Sequence, residues 1–160
     1  MPVIRRAHAR DAESIARLSA AAAQEAGEVS GLLDADHVRA HAFGQHPLFE
    51  PWVGETAPGQ RAAALAIITK GYDVRRAVAT VVLAELYVTP EHRRSGLARI
   101  MLSHIARRAR ELGARELTIT TGVGNSVARQ FFAAVGTQES QALTYLMHID
   151  VMEWLAAEAR

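Results

Sequence analysis

Two features within residues 81–98, V-V-L-A-E-L-Y-V-T-P-E-H-R-R-S-G-L-A, have residue types able to do chemistry. The first is the turn Arg93-Arg94-Ser95-Gly96-Leu97-Ala98. Small residues at Ser95, Gly96 and Ala98 let the backbone come close to a ligand, while Arg93 and Arg94 add forked cationic donors suited to phosphate. A turn leading into a helix leaves several N–H groups unpaired at the helix's positive end, where an anion can be held. The chemistry expected of this turn is a pyrophosphate cradle. The second feature is Glu85, a carboxylate inside an apolar run, costly to bury without a task or a partner. It reads either as a group for proton abstraction or as an edge-facing or salt-bridged glutamate.

Other designs can be set aside. The nucleotide-binding loop G-x-x-x-x-G-K-[ST] is absent, since the chain's one lysine, Lys70, is far from the turn, and so is the dinucleotide pattern G-x-G-x-x-G. No cysteine is present, which excludes disulfides, thiolate metal sites and a cysteine nucleophile. His37, His41 and His46 lie close in sequence, but the glutamate of H-E-x-x-H is missing and no metal is expected. A net charge of +1 implies no attraction to nucleic acid or an anionic membrane, and the arginines form no long run with interleaved aromatics. No apolar run approaches membrane-spanning length and the amino end lacks a signal-like core, so a cytoplasmic protein is expected.

The elements that must position these residues follow from periodicity and punctuation. A strand is expected over 3–7, then an alanine-rich helix over 9–26 whose apolar face includes Ala12, Ile15, Leu18, Ala22 and Ala26. A shorter helix is expected over 31–43, capped by Asp34 or Asp36, and a brief strand over 52–55. Apolar segments 62–69 and 77–88 read as an antiparallel hairpin joined by K-G-Y-D-V-R-R. The segment 97–112 has apolar residues at helical spacing and stops at Gly113. A strand over 115–121, a helix over 125–135, a last strand over 141–149 and a closing helix begun by Asp150 complete the chain, with Glu153 placed for a capping box. At 160 residues, one mixed α/β domain spanning 1–160 is the economical reading.

The pattern R-x-x-G-x-A, set between L-Y-V-T-P and an amphipathic helix, resembles the coenzyme A loop of the GNAT acetyltransferase superfamily. A second element, N-S-V-A-R-Q-F-F-A-A-V-G from Asn125, resembles the family's N-x-x-A-x-x-F-Y-x-x-x-G, with Asn125, Ala128, Phe131 and Gly136 on the pattern. Within the superfamily the chain looks most like the diamine (spermidine/spermine-type) N-acetyltransferases, through segments such as I-R-R-A, H-A-F-G-Q-H-P and T-Y-L-M-H-I-D. The resemblance implies an α+β fold: a central, mostly antiparallel sheet of about six or seven strands flanked by helices, with splayed middle strands holding the coenzyme.

It also implies acetyl-CoA as co-substrate and a small-molecule amine as acceptor, with transfer direct because no cysteine is available. Leu86 and Val88 would pair their backbone with the pantetheine arm. Arg93, Arg94, Ser95, Gly96, Leu97 and Ala98 would hold the pyrophosphate, and Asn125, Ala128 and Phe131 would contact the coenzyme. Glu25, Glu28 and Glu55 fall where relatives build the acceptor pocket. An amine near pH 7 is mostly ammonium and must lose a proton before it attacks a thioester, and Glu85 is the candidate base. Relatives tend to read L-E-D-L-Y-V where this chain has Ala84 then Glu85. Adjacent residues of a regular strand face opposite ways, so a base belonging at position 84 is lost unless a bulge re-aims Glu85. Relatives carry a proton-donating tyrosine where this chain has Phe132. Tyr145, Tyr87 or water must replace it, and Tyr145 is the first candidate, with a core position as its competing reading. An aminoglycoside or amino-acid acetyltransferase and a non-catalytic acyl-coenzyme A binding module stay open as alternatives. A homodimer is expected from the relatives.

Overall fold

The computed structural model describes residues 1–159 and divides into two compact units, 1–120 and the segment from Thr121 onward. The first unit is built on a five-stranded sheet in the order β1-β2-β3-β4-β5. Its strands are β1 (Val3–Arg6), β2 (Glu50–Glu55), β3 (Ala64–Asp73), β4 (Val78–Val88) and β5 (Ala114–Ile119). Neighbours are antiparallel except β4 and β5, which run parallel. A parallel pair needs a crossover, and helix α3 (Leu97–Glu111) supplies it.

Helix α1 (Ala12–Glu25) follows a single 3-10 turn at Ala9–Asp11, and α2 (Ala35–Ala42) packs with it. Their buried residues Ile15, Leu18 and Val38 form one apolar cluster with Val53, Leu65, Ile67 and Tyr87 of the sheet. The amphipathic α3 buries Leu97, Met101 and Ile105 and packs against β3 and β4. Asp34, not Asp36, caps α2, its side chain accepting the His37 N–H at 2.8 Å. A further polar cluster is fixed by Glu50, only 9% exposed. Its carboxylate accepts from Arg108 Nε and Nη2 at 2.9 and 3.0 Å and from Trp52 Nε1 at 2.9 Å, with Arg6 at 3.3 Å.

Strand boundaries depart from the sequence reading in instructive ways. The expected hairpin loop K-G-Y-D-V-R-R is mostly strand, because the β3–β4 ladder runs out to Asp73 and Val78. Ladder hydrogen bonds need no apolar side chains, and Asp73 then closes the turn by accepting the Arg75 and Arg76 amides, each at 3.0 Å.

The second unit, taken by itself, holds α4 (Ser126–Ala134) and α5 (Ile149–Ala156). The expected last strand over 141–149 is absent: residues 137–148 have no regular structure, and the sheet has five strands, not six or seven. Alternating side chains cannot make a strand without a ladder partner, and no other strand lies among the described residues of this unit. Helix α5 starts one residue before Asp150, with His148 at its cap and no side-chain cap bond, so the expected capping box does not form.

Candidate active site

The parallel pairing of β4 with β5 ends at Leu83 and Ile119, while β4 continues to Val88. Residues 84–88 therefore have a sheet neighbour on the β3 side only. Thr89 donates its N–H to Ala63 O at 2.9 Å. By two-residue alternation Tyr87 also bonds toward β3, and the N–H groups of Leu86 and Val88 point to the unpaired edge. A linear amide-bearing ligand could add to that edge as a strand would.

A β-bulge decides where Glu85 goes. Ile67 lies opposite Glu85 and Ile68 opposite Leu83, so Ala84 is an extra residue on β4. A regular strand would send Glu85 to the same face as Leu83, and the bulge turns it to the α1 face instead. There Ser19 Oγ of α1 donates to Glu85 Oε2 at 3.0 Å. Burial pushes the Glu85 carboxyl above its ordinary range. The Ser19 hydrogen bond acts in the opposite direction, and the charge of Glu28 adds to the upward shift.

Beyond Val88 the chain is braced by its own polar groups. Pro90 ends the strand and opens a short 3-10 turn over Pro90–His92. Thr89 Oγ1 and His92 Nδ1 are 2.8 Å apart, and Ser95 Oγ donates to His92 O at 2.6 Å. Arg94 and Gly96 then take positive φ values of 58° and 84°. Gly96 caps α3 without a side-chain hydrogen bond. Among the described residues, no amide from Arg94 through Arg99 donates to a protein acceptor; the first to do so is Ile100, to Gly96 O at 3.0 Å. A Cβ at Gly96 would meet no atom beyond its chain neighbours within 4 Å, so the space beside Gly96 is open. Successive free amides at a helix N-terminus favour an anion through both hydrogen bonding and the helix dipole.

The arginines divide the work differently from the sequence expectation. Arg93 is engaged within the protein: its Nε donates to Val88 O at 2.9 Å and its Nη2 contacts both Glu25 oxygens, at 2.8 and 2.6 Å. Its guanidinium lies 5.6 Å from the Tyr87 ring centre. Tyr87 in turn donates its hydroxyl to Glu25 Oε1 at 3.1 Å, and burial, with that hydrogen bond, pushes its phenol upward. Arg94 makes no hydrogen bond among the described residues and is the cation free to meet a phosphate beside the amides.

Of the three acidic residues expected around an acceptor, Glu25 is at the end of α1 beside Tyr87, and Glu28 follows it within electrostatic reach of Glu85. Glu55 is corrected to a structural position. It is 8% exposed, paired with Arg5 at 2.9 Å, and accepts the Gly59 amide at 2.9 Å, so its oxygens are already used.

In the second unit, Asn125 caps α4 by accepting the Ala128 N–H at 3.1 Å, and Phe131 meets Phe132 edge-on at 5.2 Å. Tyr145 lies in the irregular segment of this unit. Among the described residues no group of three or more His, Cys, Asp or Glu side chains comes together as a metal site would need.

Ser19 escaped the sequence reading, although it lies four residues after Ile15 and three before Ala22, at the edge of the same helical face. The Glu50–Arg108 pair, 58 residues apart, had no local signal at all.

A family model described as the acetyltransferase (GNAT) family matches residues 13–137. This chain belongs to that family. The acetyltransferase is thus an enzyme of the acyltransferase class, and its family uses acetyl-CoA. Solved structures share its fold. One, described as a probable acetyltransferase, superposes with a TM-score of 0.79 at 20% identity, covering 92% of this chain and 97% of its own. A possible acetyltransferase from Clostridium difficile 630 gives 0.80 at 17%, covering 93% and 98%. A ribosomal-protein-alanine N-acetyltransferase from Brucella melitensis biovar Abortus 2308 gives 0.75 at 19%, covering 93% and 99%. No protein of curated function matches the sequence. The free amides of 94–99, with Arg94 beside them and open space at Gly96, fit the diphosphate of such a coenzyme. Among the described residues, no helix of the acetyltransferase is long and apolar enough to cross a membrane.

Proposed function

We propose that this acetyltransferase moves an acetyl group from acetyl-CoA directly to a primary amine of a small molecule, with a diamine or polyamine as the acceptor class. The observation that carries the coenzyme assignment is the run of unpartnered amides from Arg94 through Arg99 at the head of α3. Arg94, Ser95, Gly96, Leu97 and Ala98 would hold the diphosphate, Leu86 and Val88 would offer edge amides to the pantetheine arm, and Asn125, Ala128 and Phe131 are assigned to the coenzyme on family resemblance. When bound, the coenzyme supplies an acetyl thioester for attack by the amine.

Glu85 takes the proton from the acceptor ammonium, directly or through a water, which frees the nitrogen lone pair. Burial suits it to the task by raising its proton affinity above that of an ordinary carboxylate. Tyr145, or Tyr87 with its raised phenol, returns a proton to the departing thiolate. Glu28, just past the end of α1, favours a cationic acceptor, and the helix C-terminus adds to that preference, while Glu25 is already engaged by Arg93 and Tyr87.

The test is thiol release from acetyl-CoA with diamines, polyamines, aminoglycosides and amino acids, beside calorimetry of coenzyme binding. Release should be fastest with the diamines and polyamines. Glu85→Gln should lower kcat by about 10²–10⁴-fold while coenzyme affinity holds. Faster turnover of aminoglycosides or amino acids would overturn the acceptor class, and binding without release across the panel would overturn catalysis.

A further inference from the structure

The reading of Glu85 as a base leaves open how one carboxylate, on a strand, keeps a fixed direction. We propose that Ser19 is a positioning residue for this reaction: its hydroxyl holds Oε2 of Glu85 so that Oε1 is the oxygen presented to the acceptor proton. The inference rests on the proposed role of Glu85 and adds to it a residue on another element.

The geometry carries it. Ser19 Oγ is 3.0 Å from Oε2, and among the described residues Oε1 has no donor. The bulge at Ala84 is what brings Glu85 to the α1 face, so bulge and hydroxyl act as two halves of one arrangement. Without the hydroxyl, the carboxylate would be free to turn about its terminal torsion, which is soft and nearly two-fold. Ser19 shares its side of α1 with Ile15 and Leu18, both fully buried, which fixes the helix that bears it.

The groups around Glu85 set the sign of the effect. From the middle of α1 comes Ser19 and, from just past the helix end, the negative Glu28. The residue opposite on β3 is the apolar Ile67. On β4 itself Tyr87 is next on the same face, with its hydroxyl on Glu25 and Glu25 on Arg93. Ser19 thus supplies the one hydrogen bond that favours the ionised carboxylate, against burial and Glu28. Removing it must raise the pH at which Glu85 ionises.

Three variants test this. Ser19→Ala suits a helix, and Ser19→Thr and Ser19→Val have nearly the same shape but differ in the hydroxyl. The first measurement is a carbon-13 NMR titration of the ligand-free protein, with the Glu85 carboxyl signal identified by its loss in Glu85→Gln. The expected result is an upward shift of about one pH unit in Ser19→Ala and Ser19→Val, equivalent to tenfold in proton affinity, and recovery in Ser19→Thr. The second is the pH profile of kcat/KM. Its acidic limb should move up by the same amount, leaving the Ala and Val variants about tenfold slower below the limb and less so as pH rises. A Glu85 titration that is the same in wild type, Ala and Val variants overturns the positioning role whatever Glu85 does. A shifted titration with full turnover in Glu85→Gln overturns it for a different reason, because the carboxylate being tuned is then not the base.

Discussion

Replacing Gly96 by alanine separates the cradle's part in folding from its part in binding. Gly96 has φ of 84°, a conformation that costs other L-residues roughly 1–2 kcal/mol. Nothing is added sterically, since the new Cβ would meet no protein atom within 4 Å. At about 2–4 °C per kcal/mol for a chain of this size, Tm should fall by about 2–8 °C. Binding should suffer more, because the open space that spares the fold is the space a diphosphate would occupy. Displacing one charge-assisted hydrogen bond, worth about 1.5–3 kcal/mol, corresponds to about 10–100-fold in coenzyme Kd. Gly113, just past the other end of α3, is the matched control, with φ of 77° and equally open surroundings. Gly113→Ala should lower Tm by a similar amount and leave coenzyme affinity alone. Calorimetric titration of both variants with coenzyme A, beside thermal unfolding, decides the matter. Equal affinity in Gly96→Ala and wild type, or an equal loss in both variants, would refute the cradle.

Two other outcomes follow from neighbouring parts of the structure. Glu50→Gln breaks a buried ion pair with Arg108 and should cost about 3–5 kcal/mol, or about 6–20 °C in Tm. Burial raises the Glu50 carboxyl, but hydrogen bonds from Arg108 and Trp52 and the nearby arginine charges outweigh it and leave it below the ordinary value of 4.5. The Tm gap between wild type and variant should therefore be full above pH 4.5 and narrow as pH falls further, a trend that thermal melts across pH would check. Tyr145→Phe should slow turnover with coenzyme affinity intact; stopped-flow thiol release that matches wild type, with Tyr87→Phe slowed, would move proton return to Tyr87.

What was legible in the sequence was what local chemistry determines. The apolar spacing of α1 and α3, the stop at Pro90 and the small residues around Gly96 each express a local preference, and each led to the right element. Ladder length is different: Lys70 and Asp73 belong to β3 because Val81 and Val78 of β4 lie opposite them, and that backbone pairing leaves no mark on the residue types of the segment. The segment 141–149 fails for the converse reason, having strand-like alternation with no partner. Within the site, the turn with unpaired amides at the head of α3 was readable because residue size and the helix start announce it together. The engagement of Arg93 by Glu25, from 68 residues away, and of Glu55 by Arg5 was not, since two charges find each other only once the sheet is assembled.

The extra residue at Ala84 changes how this strand should be compared with any other. Up to Leu83 the side chains keep one phase, and from Glu85 on they keep the opposite one. Lining up letters position by position assumes a single phase throughout, so it would pair Ala84 with a relative's carboxylate and judge the acid missing. Counted in space rather than in letters, Glu85 occupies the α1 side of the sheet, and a substitution at 84 carries less meaning than an insertion or loss beside it.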